Sequence, residues 1–160
     1  MAIRVLAIDP GDVHVGMAYF EDPRCLEAWE YAPDQALDYV RDMLRCGRID
    51  TLVIEEFRLY PWRARAQAFS QMLTCEMIGA LKIAWRWYGV DNGIELAVQS
   101  AQIKEPTSNI LRARKVPSVA KRSRAGGHAF DAELHGHYYL EHRKADGLTV
   151  AEATKKASKR

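Results

Sequence analysis

Two short runs constrain this chain more than anything else in it. Ile3 to Asp9 and Thr51 to Phe57 are rich in β-branched and apolar residues, and in each the apolar stretch stops on a carboxylate, Asp9 and Glu55. A strand apolar on both faces belongs in the middle of a sheet covered on both sides. Between the two lies a helical pattern, with Pro33 at its start, Leu37, Val40, Met43 and Leu44 at helical spacing, and Gly47 to end it. A strand that follows a helix in this way returns by a crossover and lies parallel to an earlier strand. If the two strands are neighbours, Asp9 and Glu55 emerge at one edge of the sheet. Ligands in such folds sit beyond the carboxyl ends of the strands.

The remaining elements fit around this pair. Val13–Phe20 and Cys25–Tyr31 read as strands returning antiparallel after the Pro10-Gly11-Asp12 and Asp22-Pro23 turns. Arg63–Tyr88 has a helical pattern whose apolar residues cover more than one stripe, so it is expected to be buried on two sides, by the sheet and by a partner subunit. Ile94–Val98 is a fifth strand, 99–127 is polar loop with short helical pieces, and His128–Arg143 is helical. The expected fold is α/β: a mixed five-stranded sheet, three antiparallel strands then parallel ones, flanked by helices. At 160 residues the chain suits one domain, expected over 1–145, followed by a basic tail over 146–160.

Several classes are set aside. Met72–Tyr88, the most apolar long stretch, contains Glu76, Lys82 and Arg86, which argues against a membrane span. No secretory signal pattern follows Arg4. Cys25, Cys46 and Cys75 are far apart and form no C-x-x-C pair, so a cytoplasmic protein with reduced thiols is expected.

The net charge of +2 hides an asymmetry. Residues 1–100 hold 10 Lys and Arg against 15 Asp and Glu, and residues 101–160 hold 13 against 6. The densest basic part carries Lys104, Arg112, Arg114, Lys115, Lys121, Arg122 and Arg124 with only Glu105 opposing. Such clustering is the footprint of a phosphate-backbone binder, although a solvated surface has the same composition.

A third acidic position joins the two strand ends. In His128-Ala-Phe-Asp131 the i, i+3 spacing sets an imidazole and a carboxylate on one helix face. Together with Asp9 and Glu55 they make an oxygen-rich set for a hard divalent cation. Two such ions about 3.5–4 Å apart can clamp the attacking and leaving oxygens of a phosphodiester. Each residue also has an ordinary explanation: Asp9 as a turn cap, Glu55 as a strand-end surface group, His128 as a helix-start residue, Asp131 as a surface carboxylate. Glu56 competes with Glu55 but alternates to the other face. The joint pattern favours a site.

These residues resemble the motifs of the RuvC family of Holliday-junction resolvases. Val5-Leu-Ala-Ile-Asp9-Pro-Gly11, with Gly16 downstream, is similar to the first motif, and Leu52-Val-Ile-Glu55-Glu-Phe57 to the second. Gln102-Ile-Lys104 is similar to a Gln-hydrophobic-Lys element, and His128-x-x-Asp131 to the last motif. The resemblance runs from about residue 3 to residue 142 and implies a ribonuclease-H-like fold. It implies a structure-selective DNA endonuclease that leaves 5′-phosphate and 3′-hydroxyl nicks in a four-way junction. Asp9, Glu55, Asp131 and His128 would hold two Mg²⁺ ions, with Mn²⁺ able to substitute, and Lys104 would stabilise charge on the scissile phosphate. Arg112, Arg114, Lys115, Lys121, Arg122 and Arg124 would hold junction arms, with Arg58, Arg63 and Arg65 adding to that surface. Phe57, Tyr60 or Trp62 would meet unstacked bases. Paired nicks imply a homodimer, for which the broad apolar helix is the candidate interface. A nuclease of the same fold acting on forks, flaps or RNA, and a non-catalytic branched-DNA-binding module, are the alternatives. Between Lys104 and Gly126 the chain departs from the family, with Glu105-Pro106-Thr107 and a basic run in place of a Gly-containing connection.

Overall fold

The computed structural model describes residues 2–57 and 73–146. Arg58, Tyr60, Trp62, Arg63 and Arg65, the first part of the 63–88 helical pattern and the tail from 147 lie outside the described residues. The strands are β1 (Arg4–Asp9), β2 (Val15–Glu21), β3 (Arg24–Tyr31), β4 (Thr51–Glu56) and β5 (Glu95–Ser100). The helices are α1 (Pro33–Arg45), α2 (Leu73–Ala84), α3 (Lys104–Ala113), α4 (Val119–Ser123) and α5 (Gly127–Asp146), with a π-helical turn Trp85–Gly89 after α2 and a 3₁₀ turn Ala101–Ile103 before α3.

The sheet has the order β3-β2-β1-β4-β5. β1 pairs antiparallel with β2 and parallel with β4, and β4 pairs parallel with β5. This is the expected mixed sheet. Its central register is fixed at the strand starts, where Arg4 donates to Asp50 through Nε (3.2 Å) and Nη2 (2.8 Å) and the Asp50 amide donates to the Arg4 carbonyl (2.8 Å). Paired from that point, Ile8 lies beside Ile54, so the next residues of the two strands, Asp9 and Glu55, fall side by side.

Alternation along the strands divides the core in two. Leu6, Ile8, Leu52 and Ile54 face α1 and α2, where Val40, Leu44, Met77, Ile78 and Leu81 cover them. Val5, Ala7 and Val53 face α5, against Ala129, Ala132, Tyr139 and Leu140. Asp9 and Glu55 share the parity of the second set and therefore point under α5.

Residues 104–113 form a ten-residue helix where loop with short helical pieces was expected. Pro106 is tolerated because it lies in the first turn, where no backbone N–H has an intrahelical acceptor. The described part of the long apolar helix buries Met77, Ile78, Leu81 and Ala84 but leaves Leu73, Ile83 and Trp87 exposed. The three cysteines are unpaired thiols, as expected. Among the described residues no helix is long and apolar enough to cross a membrane.

Candidate active site

Helix α5 begins at the carboxyl ends of β1 and β4, runs over one face of the sheet toward the strand starts, and is fixed to the sheet along its length. At its start the Glu30 carboxylate, on β3, accepts from the backbone amides of His128 (2.9 Å) and Ala129 (3.3 Å). This places a negative charge at the positive end of the helix. Gly126 makes the turn before it with φ 94°, and a β-carbon there would meet the Glu30 carboxylate. Farther along, the Tyr139 hydroxyl donates to Glu95 (2.9 Å) and lies 3.1 Å from the Thr51 hydroxyl. Gly16, paired with Asp9 across β1 and β2, has no side chain, and the backbone of His128 fills that space.

The anchored helix carries its polar face over the two strand ends. The Lys104 ammonium, at the start of α3, is 3.1 Å from Asp9 Oδ1, 2.6 Å from Glu55 Oε2 and 2.7 Å from Asp131 Oδ2. His128 Nδ1 is 2.5 Å from the second Asp9 oxygen. All five residues read from the sequence as the chemical centre, Asp9, Glu55, Lys104, His128 and Asp131, thus meet at one point. Glu56 alternates away from them.

Burial and crowding set the charge state of the cluster. Burial, then the neighbouring Glu55 carboxylate, push Asp9 up to about 7, against the pull of Lys104 and His128. Burial acts to raise Glu55 too, but hydrogen bonds with His135, Asp9 and Lys104 hold it well below the usual carboxylate range. Burial opposes the charge on Lys104, yet Asp9, Asp131 and Glu55 hold its ammonium well above its ordinary value. Three carboxylates against one lysine leave an excess of acceptors at a partly buried point. Such a set has the chemistry to hold hard divalent cations.

The sequence reasoning missed His135. It is fully buried, with Nε2 2.9 Å from Glu55 Oε2 and Nδ1 2.8 Å from Gln99 Oε1. Asp9, Glu55 and His135 each offer one ligand atom, all within 4.8 Å of one another. The signal was present, since His128, Asp131 and His135 stand at i, i+3 and i+7 on one helix face.

The basic segment is built onto the same helix. Arg112, Arg114, Lys115, Lys121, Arg122 and Arg124 are all exposed. Arg114 is ion-paired with Glu141, and Lys121 lies over the Phe130 ring at 4.2 Å. Phe57 packs partly against the α1 and α2 side of the core. Glu133, 1% exposed, holds α4 in place by accepting from Ser118 Oγ (2.7 Å) and from the amides of Val119 (2.9 Å) and Ala120 (3.1 Å). A carboxylate with that many donors is worth about 2 kcal/mol. Glu133→Gln is therefore expected to lower stability in urea denaturation by about that amount.

No family model matches this chain, and no curated protein does. Solved structures do. RuvC from Thermus thermophilus in complex with a Holliday-junction substrate matches with a TM-score of 0.63 at 18% identity, over 89% of this chain and 96% of that one. A second Thermus thermophilus RuvC structure matches with a TM-score of 0.59 at 16% identity, over 89% and 97%. The Fowlpox virus resolvase in complex with Holliday-junction DNA matches with a TM-score of 0.58 at 12% identity, over 87% and 97%. Read with the sheet order, these likenesses establish that the chain has the RuvC-type, ribonuclease-H-like fold.

Proposed function

We propose that this chain is a divalent-metal-dependent endonuclease that resolves four-way DNA junctions by paired nicks. One observation carries the reading: Asp9, Glu55 and Asp131 converge on a single ammonium beyond the carboxyl ends of two parallel strands. The fold shared with two proteins that bind Holliday junctions supports the choice of substrate.

The donor set fits the implied cofactor. Asp9, Glu55 and Asp131 would hold two Mg²⁺ or Mn²⁺ ions, with His128 ligating or orienting beside Asp9. When bound, such ions supply Lewis acidity to the scissile phosphate and to the attacking water. Lys104 offers a fixed positive charge to a phosphate oxygen from the same point. The exposed basic residues from Arg112 to Arg124 grip the junction arms through phosphates, so binding weakens steeply with salt. A second copy of the chain, meeting the exposed Leu73, Ile83 and Trp87 of the apolar helical region, supplies the matching site for the second nick.

Cation binding must displace the proton that Asp9 retains up to about 7. Affinity therefore rises with pH toward that value and levels off above it. Calorimetric titration of the DNA-free protein with Mn²⁺ is expected to give about tenfold weaker binding at pH 6 than at pH 8. A flat profile contradicts the placement of the cation at Asp9.

The substrate is tested by comparing a mobile four-way junction, a fork, a flap, a linear duplex, a single strand and an RNA hybrid in Mg²⁺ and in Mn²⁺. Symmetric nicks confined to the junction support the proposal. Equal cutting of forks, flaps or RNA replaces it with a broader nuclease of the same fold. Tight junction binding without cutting replaces it with a binding module.

A further inference from the structure

His135 has a place in the cluster that the proposed mechanism does not use. Its ring is wholly buried under α5, and both nitrogens are engaged. The ring can donate from Nε2–H to Glu55, the contact that helps hold that carboxylate down, or, in its other tautomer, donate from Nδ1–H to the Gln99 amide oxygen and turn the Nε2 lone pair toward Glu55. In that second form a cation shared between Nε2 and the Glu55 carboxylate takes the place of the proton. Neighbouring ligands of a six-coordinate ion at about 2.1 Å stand about 3 Å apart. Nε2 of His135 and Oε2 of Glu55 are 2.9 Å apart. A ligating histidine whose other ring nitrogen is fixed by a carbonyl-type acceptor is the usual arrangement around protein-bound metals.

We propose that His135 is a ligand, together with Asp9 and Glu55, of a cation site that takes Mn²⁺ in preference to Mg²⁺, with Gln99 as the positioning residue behind it. The inference rests on the metal-site reading above and extends it. Three carboxylates alone suit Mg²⁺ and Mn²⁺ about equally. A buried imidazole shifts the balance, because Mg²⁺ holds to oxygen ligands and to its own water while Mn²⁺ accepts nitrogen more readily. The preference is set in the fold, since Gln99 pairs with Glu55 across β4 and β5 and brings its amide to the ring from the adjacent strand.

The test is pulsed electron paramagnetic resonance on Mn²⁺ bound to the full chain without DNA, for the wild type, His128→Gln, His135→Gln, Gln99→Leu and Asp9→Asn, with Mg²⁺ competition on each. A nitrogen coupling that survives His128→Gln and disappears in His135→Gln is the expected result. At least tenfold more Mg²⁺ than Mn²⁺ is expected to be needed to displace the ion from the wild type, and that ratio is expected to collapse in His135→Gln. Gln99→Leu, which leaves the ring in place, is expected to weaken Mn²⁺ by about 10–100-fold. It carries the test alone if His135→Gln does not fold, and unchanged affinity in it overturns the proposal. Mn²⁺ bound in an Asp9-dependent way but through oxygen only overturns the role of His135 and leaves the metal site standing. No Mn²⁺ binding in the wild type overturns both.

Discussion

Asp9→Asn is expected to slow cutting of a four-way junction by about a thousandfold or more while leaving junction binding within a few-fold of wild type. The substitution keeps the shape of the side chain and removes one charge. In the proposed mechanism that charge faces the cations, and Lewis-acid stabilisation of a phosphoryl transition state is worth several kcal/mol, about a thousandfold in rate. In the same proposal, junction binding depends instead on the exposed basic residues between Arg112 and Arg124, on other elements. Stability moves the other way. Burial and Glu55 push Asp9 up to about 7, so the charged form is disfavoured in the folded protein. Between the ordinary carboxylate value and about 7 the folded chain holds a proton that the unfolded chain has lost. Stability from this group therefore falls as pH rises across that window. At pH 8 and without metal, Asp9→Asn is expected to melt no lower than wild type. Single-turnover cutting and thermal melting on the same preparation check both halves. Cutting within tenfold of wild type contradicts the role given to Asp9, and a lower melting temperature contradicts the account of its burial.

Gly16→Ala is expected to damage both fold and site, although Gly16 bears no functional group. A β-carbon there would stand 2.0 Å from the carbonyl carbon and oxygen of His128 and 2.6 Å from the amide nitrogen of Ala129. These are backbone atoms of a helix start that Glu30 holds down, so no side chain can rotate away. The start of α5 must lift from β2. Overpacking of this kind costs typically about 1–3 kcal/mol, and a rigid backbone neighbour places this case at the upper end. The lift also carries His128 and Asp131 away from Asp9. Loss of cutting is therefore expected to exceed the loss of folded protein, with activity compared at a temperature where circular dichroism shows the variant folded. Gly79→Ala is the control, because a β-carbon there meets nothing within 4 Å. Gly16→Ala melting with wild type, or keeping full activity, contradicts the close approach of helix and strand.

Much of this site is legible in the sequence because its chemistry sits at strand ends. Asp9 and Glu55 terminate runs too apolar to be exposed, and the helix between them forces the strands parallel. Once the two strands are neighbours, as they are in the sheet, their meeting follows from periodicity and handedness. His128 and Asp131 follow from the spacing of one helix. What was not legible has definite physical causes. His135 continues the same face by one turn, but nothing in the sequence says at what angle α5 crosses the sheet, and that angle is what brings this turn over Glu55. Glu133 reads as a solvated charge, since carboxylates are rarely buried. Its burial depends on donors from Ser118, Val119 and Ala120, which the start of α4 supplies. Residues 104–113 read as part of a polar, basic loop with short helical pieces, whereas the structure makes them one helix with Pro106 in its first turn. The likeness to RuvC-type resolvases carries the fold across nearly the whole chain at identities of 12–18%.

The central claim is that the cluster of Asp9, Glu55, His128 and Asp131 cuts four-way DNA junctions in pairs. A supercoiled plasmid that extrudes a cruciform tests it most directly, because two nicks within one binding event give linear DNA and independent nicks give open circles. With Mn²⁺ or Mg²⁺ the wild-type protein is expected to convert supercoiled plasmid to linear product with ends at the crossover, and neither Asp9→Asn nor chelated wild type is expected to do so. Plasmid left supercoiled under a saturating, junction-bound protein would contradict the account, and so would linear product from Asp9→Asn.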